Sequence, residues 1–270
     1  QMGLLTSNDN ASSVVIRNSE FSRNGYVTDP QTHNIYIGKI ASFTLEYSLI
    51  HSAYYGHNVK SRAQYNWIAY NSISDVPSGT ASYQIDLPNG GEAYVIWNLI
   101  YKGTLASNAW LVYYGWESPQ LPPMTFYAVN NTLVSDYGSS TKFIHADAAT
   151  TTYKSTNNLF IGSGTVYTGK TPTQANNYSS STDPGFVEMG TQDYRLLSTA
   201  LSAIDKGTDP GLSDTSVSLT PTEQYAQTLT STIRTTFGGV IDIGAYEYGA
   251  ALYYPILSPG VSMGGGVTIQ

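Results

Sequence analysis

One phrase recurs along this chain, an apolar strand that closes on Asn. It reads Val14-Val15-Ile16-Arg17-Asn18, then Phe43-Thr44-Leu45-Glu46-Tyr47-Ser48 with Ser in the Asn place, then strands closing on Asn71, Asn98, Asn131 and Asn158. Positions 18, 48, 71, 98, 131 and 158 are 30, 23, 27, 33 and 27 residues apart. A supersecondary unit that returns at such a step marks a solenoid, with loops on one face absorbing the uneven spacing. An Asn stacked at one corner can pass amide hydrogen bonds from coil to coil, and it tolerates the left-handed conformation of a sharp corner.

A second, shorter strand precedes each closing strand. Asn58-Val59-Lys60-Ser61-Arg62 leads into Asn66 to Asn71, and Gln84-Ile85-Asp86-Leu87 leads into Ala93 to Asn98. Helical periodicity is almost absent. The best window is 222–233, where Tyr225, Leu229 and Ile233 are spaced by four after Pro221, which predicts a short helix outside the coils. The stretch 165–181 reads as a polar loop. The first strand starts near Ser13, so either Gln1 to Asn10 covers that end or further coils precede it, the second reading being favoured.

The fold class is therefore all-β, a single right-handed parallel β-helix with a C-terminal capping region. Coils are expected over 1–162, the last coil with loops and the cap over 163–248, and an apolar tail over 249–270. Any solenoid exposes a sheet edge and a core end that something must cover. The segment Asp242-Ile243-Gly244-Ala245-Tyr246-Glu247 resembles the closing strand of many bacterial parallel β-helix proteins, which implies that it covers the open end with Ile243 and Ala245 inward.

Charge narrows the function. Only 11% of residues are charged, the net charge is −7 and the 12 basic residues form no run, so a nucleic-acid face is not expected. There is no Cys, which excludes disulfides, thiolate metal sites and thiol catalysis. No apolar run reaches the ~18 residues of a membrane span. The Cys-free composition with 23 Tyr leans towards an exported, extracellular or cell-surface protein of bacterial type.

Strand alternation then places the chemistry. With Ile35, Val59, Ile85, Val112 and Ile144 inward, the outward column is Tyr36, Lys60, Asp86, Tyr113 and His145. A second column holds Gly38, Arg62, Pro88, Gly115 and Asp147, while His57 and Glu117 lie at strand ends. Neighbouring strands are ~4.8 Å apart and i to i+2 is ~6.6 Å, so Lys60, Arg62 and Asp86 fall within one sugar ring of each other. Tyr36 and Tyr113 flank them as stacking platforms. A like charge beside Lys60 would loosen its proton, as a base requires, and the Arg62 fork suits a uronate carboxylate. The other reading of these residues is a surface salt bridge on an inert sheet. Pro88-Asn89-Gly90-Gly91 and Gly115 read as turn residues.

Asn58-Val59-Lys60-Ser61, followed by Asn66-x-Ile68-x-x-Asn71-Ser72-Ile73, resembles the segment around the catalytic Lys of the chondroitinase B and alginate lyase type of polysaccharide lyases, family 6. The resemblance implies a β-helix in which Lys60 acts as base, assisted by an Arg one coil later and by a calcium ion that neutralises the uronate. Asp86 stands where the family carries that Arg, and residues 52–56 hold none of the acidic calcium ligands. No metal site or cofactor is expected from the residues themselves.

The expected function is binding, and cleavage by β-elimination, of an acidic polysaccharide. Lys60, Arg62, Asp86, Tyr113 and His145 are the catalytic candidates, and Tyr36, His57 and Glu117 the substrate-binding ones. Two carboxylates, Asp86 and Glu117, leave room for a hydrolase. The alternative is a non-catalytic extracellular structural or adhesive protein that self-associates through its sheet faces and tail.

Overall fold

The inward column Ile35, Val59, Ile85, Val112 and Ile144 stacks in parallel register along one sheet, each residue directly over the last. A β-branched side chain suits this position because it fills a pleated surface and repeats every rung. The computed structural model describes residues 1–26, 28–227, 229–249 and 266–269. Three parallel sheets wrap around the core, each crossed once per rung. The first sheet runs Leu4–Leu5, Ile35–Ile37, Val59–Ser61, Ile85–Leu87, Trp110–Tyr114, Lys142–Ala146 and Thr165–Gly169. The second begins at Asp9–Arg17 and ends at Thr173–Ala175, and the third begins at Glu20–Ser22 and ends at Tyr178–Ser180. Residues 165–180 thus form a seventh rung rather than a polar loop. Its half-exposed side chains, at the end of the stack, explain the polar composition that conceals the strands.

The corner between the second and third sheets carries the ladder that the sequence announces. The Asn71 backbone N–H donates to Asn98 Oδ1 at 3.0 Å, Asn98 to Asn131 at 3.0 Å, Asn131 to Asn158 at 3.0 Å and Asn158 to Asn177 at 2.8 Å. Each amide also donates to a strand carbonyl, as Asn98 Nδ2 does to Ile68 O and Ile96 O. The column continues upward through Ser48 and Ser19, not Asn18. The left-handed residue is the one before the ladder position: Asn18, Tyr47, Tyr70, Trp97, Asn130, Asn157 and Asn176 have φ between 47° and 61°. That conformation is costly for Tyr and Trp. Three aromatic rings occupy it here, Tyr47 on Tyr70 at 5.5 Å and Tyr70 on Trp97 at 4.5 Å, and their packing offsets the cost. A second buried ladder, Asn34 to Asn58 to Gln84, holds the corner before the first sheet.

The C-terminal segment lies along the flank of the rungs instead of over the open end. Ile243 and Ala245 are buried, as expected, but against Leu99, Val134, Leu159 and Ile161 on the outer side of the third sheet. Asn130 Nδ2 donates to Asp242 O and Gly244 O, and the Gly244 N–H donates to Asn157 O. The flank offers corner groups and apolar side chains that this strip pairs with and covers. Arg234 is buried among these residues, donating to Glu247 Oε2, Gly244 O and Asp242 O. Residues 222–233 are not a helix. Glu223–Ala226 and Thr230–Ile233 pair as an antiparallel hairpin, with Leu229 left-handed at the turn (φ 61°) and Ile233 exposed. A run of β-branched Thr outweighed the four-residue spacing. The tail falls mostly outside the described residues. Gly266–Ile269 pairs antiparallel with the edge strand Asp9–Arg17.

Candidate functional site

The outward column of the first sheet is in the expected register, Tyr36 beside Lys60 beside Asp86 beside Tyr113 beside His145. The structure gathers the first three into one charged cluster. Lys60 Nζ is 3.2 Å from Asp86 Oδ2 and 3.6 Å from Glu117 Oε1. Arg62 reaches Glu117 Oε2 at 2.6 Å and donates to Tyr36 Oη at 2.8 Å and to Asn89 Oδ1 at 2.6 Å. Both cations also lie over the Tyr36 ring, at 5.6 and 5.8 Å from its centroid. His57 Nε2 stands 3.3 Å from Asp86.

Glu117 reaches back from the loop after Trp110–Tyr114. Gly115 makes that return at φ 86°, where an added Cβ would meet Met124 at 2.7 Å. The Glu117 N–H donates to Pro88 O, and Asn89 Nδ2 ties Pro119 O, so the loop lies against the neighbouring rung. Trp116, beside Glu117, donates its indole N–H to Asp86 Oδ1 at 3.0 Å. Sequence reasoning missed Trp116, and it gave Asn89 only a turn. Neither position follows the strand period. Their one signal was adjacency to Glu117 and to the Asp86 strand.

Asp86 is completely buried. Burial alone would raise its pKa, but the hydrogen bond and charge of His57, the charge of Lys60 and the Trp116 donor hold it below the usual carboxylate range. Its Oδ2 is approached by Lys60 Nζ at 3.2 Å and by His57 Nε2 at 3.3 Å. Burial would lower the Arg62 pKa, yet Tyr36 and Glu117 raise it, so the guanidinium is firmly charged. Lys60 therefore faces two carboxylates as well as Arg62, and like-charge repulsion from Arg62 is not the main feature of its surroundings.

His33 stacks on His57 at 4.4 Å, and its Nδ1 accepts the His57 backbone N–H at 2.9 Å. Burial, with the nearby cationic groups, pulls its pKa down to about 2. In the unfolded chain a histidine titrates near ~6.5. The folded state thus binds fewer protons, so this stability is fully present above ~6.5 and is lost as pH falls from there towards 2. The expected slope is ~1.4 kcal/mol per pH unit. Urea unfolding at pH 7 and pH 5 should show a lower midpoint at pH 5, and His33→Asn should flatten the difference. An unchanged slope in that variant would remove His33 as the cause.

Tyr113 stacks on His145 at 4.1 Å, and Trp110 and Trp116 approach the Tyr113 ring at 5.5 and 5.9 Å. Burial raises the Tyr113 pKa and lowers that of His145. Register sets them apart from Lys60, by two rungs for Tyr113 and three for His145, or ~10 and ~14 Å. One bond cannot be served by both Lys60 and His145. Two cavities open beside the charged cluster. One of about 260 Å³ is lined by Pro30, Gln31, His33, Tyr36, Lys60, Arg62 and Glu117. The other, of about 430 Å³, lies on the far side of Arg62.

The calcium implied by the lyase resemblance does not fit these residues. Asp86 and Glu117 are both already paired with cations, and no group of three His, Asp or Glu that could hold a metal occurs among the described residues. No family model, curated protein or solved structure matches this chain.

Proposed function

We propose that the cavity between Tyr36 and Glu117 binds an acidic sugar of an extracellular polysaccharide and removes the proton next to its carboxylate, cleaving the chain by β-elimination. The observation that carries this reading is the Arg62–Glu117 pair. A carboxylate already meets the guanidinium at one nitrogen, Arg62 Nη2, at 2.6 Å, in a small cavity lined by a second cation and an aromatic ring. Glu117 marks the geometry in which a uronate carboxylate would be received. A cluster of five ionisable groups, one of them wholly buried, is also a poor choice for stability alone, because apolar residues in the same places would avoid the desolvation cost.

In this reading Arg62 holds the carboxylate as charge develops on it, and Lys60, after giving its own proton to solvent, takes the proton from the adjacent carbon. The C–H electrons form the double bond as the bond to the leaving oxygen breaks. Tyr36, one rung from Lys60 and accepting a hydrogen bond from Arg62, is placed to return a proton to that oxygen. Tyr113 and His145 lie too far for that role and serve as an aromatic wall. The hydrolytic alternative is weaker, because Asp86 has no exposed surface and is enclosed by Lys60, His57 and Trp116.

The test is a screen of alginate, pectate and glycosaminoglycans for the ultraviolet-absorbing unsaturated product. Lys60→Ala is expected to lower the rate by ~10²–10⁴, and a thermal melt of the variant separates that loss from the destabilisation of leaving buried Asp86 one partner short. Arg62→Ala should weaken binding of acidic polymers more than of neutral ones. If no polymer gives product and none binds in a pull-down, the enzyme reading falls and a structural or adhesive role takes its place.

A further inference from the structure

Arg62 lines both cavities, so the second one continues from the first along the strand direction. Its other lining residues are Asn10 and Lys39 from the rungs above, Ile40 and Ala41 at the start of the second sheet, Gln64, and Pro119 and Leu121 from the Glu117 loop. The lining thus mixes apolar side chains, Ile40, Ala41, Pro119 and Leu121, with polar ones, as a pyranose ring with its hydroxyl groups needs. At about 430 Å³ it falls within the ~300–1,000 Å³ of small-molecule sites, whereas the first cavity, at about 260 Å³, is just below them. Lys39 makes no side-chain hydrogen bond or ion pair with the described residues. Of the cations lining the two cavities, Lys60 and Arg62 are already matched to carboxylates.

We infer that this cavity is a second subsite, which takes the next acidic sugar of the same chain and reads its carboxylate or sulfate with Lys39. The inference rests on the reading of the first cavity as a sugar site. It adds a direction. The polymer crosses the rungs along the strands, from Tyr36 past Arg62 to Lys39 and Gln64, instead of following the aromatic column down the solenoid axis. Specificity then depends on charge at two consecutive units, which a single uronate cannot supply.

Calorimetric titration of wild type, Lys39→Gln and Lys142→Gln with galacturonate, trigalacturonate and trimannuronate separates the possibilities. Lys142 is a lysine on the first sheet, outside both cavities. Lys39→Gln is expected to weaken trisaccharide binding about threefold to tenfold, as for a partly exposed charge pair, and to leave the monosaccharide unchanged. Lys142→Gln should change neither. If wild type binds a trisaccharide and Lys39→Gln binds it equally well, or if Lys142→Gln loses as much, the second subsite is overturned while the first stands. If wild type binds none of the three, both fall.

Discussion

Asn98→Ala is expected to cost about 3–6 kcal/mol, much of the 5–15 kcal/mol that holds a typical domain together. Asn98 Oδ1 accepts the Asn71 backbone and side-chain N–H groups, and its own amide serves Ile68 O, Ile96 O and Asn131. All of these groups are out of reach of water, and alanine satisfies none of them. Each stranded backbone group costs about 1–3 kcal/mol. Asn177→Ala is the internal comparison. Asn177 ends the ladder and is half-buried, with Asn158 and Ser155 on one side and no further rung on the other, so its loss should be clearly smaller. Denaturant midpoints of the two variants decide it. Equal losses would mean that the ladder is not cooperative from rung to rung.

Glu247→Ala should be nearly as severe, by about 3–5 kcal/mol, for a different reason. It leaves the Arg234 guanidinium buried with only carbonyl partners, and it also strands the N–H groups of Phe237 and Asp242. The damage should concentrate in residues 183–248, so hydrogen exchange there should rise while the rungs keep their protection. Replacing both partners, Arg234→Met with Glu247→Leu, should recover part of the loss, since removing a buried pair is far cheaper than breaking one. A double variant no better than Glu247→Ala would show that the pair is not what fixes this segment to the flank.

The solenoid was legible because two independent periods agree. Alternation by two fixed which side chains of Ile35–Ile37, Val59–Ser61 and Ile85–Leu87 point inward, and the closing Asn fixed the rung length. The ladder was misplaced by one residue at its start, since Asn18-Ser19 offers two polar candidates and the longer amide is the more conspicuous. The charged column was legible for the same reason, being set by strand register. What alternation cannot reach is loop geometry. Trp116 and Asn89 enter the site through a turn whose path depends on Gly115 and on contacts with the next rung. The docking of Asp242 to Glu247 on the flank was hidden as well. The motif shows that the strip seeks cover, and which surface receives it depends on groups left unpaired in rungs more than a hundred residues upstream.

The aromatic strip of Tyr47, Tyr70 and Trp97 has a consequence for how a new chain is made. Trp97 is sealed by Leu219, 122 residues later, Tyr70 by Thr222, 152 residues later, and Tyr47 by Glu223, 176 residues later. At ~5–20 residues per second, translation needs roughly 6–24 s to produce the 122 residues between Trp97 and its cover. For that interval a nascent chain with completed rungs carries a bare stripe of rings on its side, and two ribosomes on one message carry two such stripes close together. The later-made segment that holds Leu219, Thr222 and Glu223 therefore acts as a seal whose arrival time governs how long neighbouring chains can stick to each other through these rings.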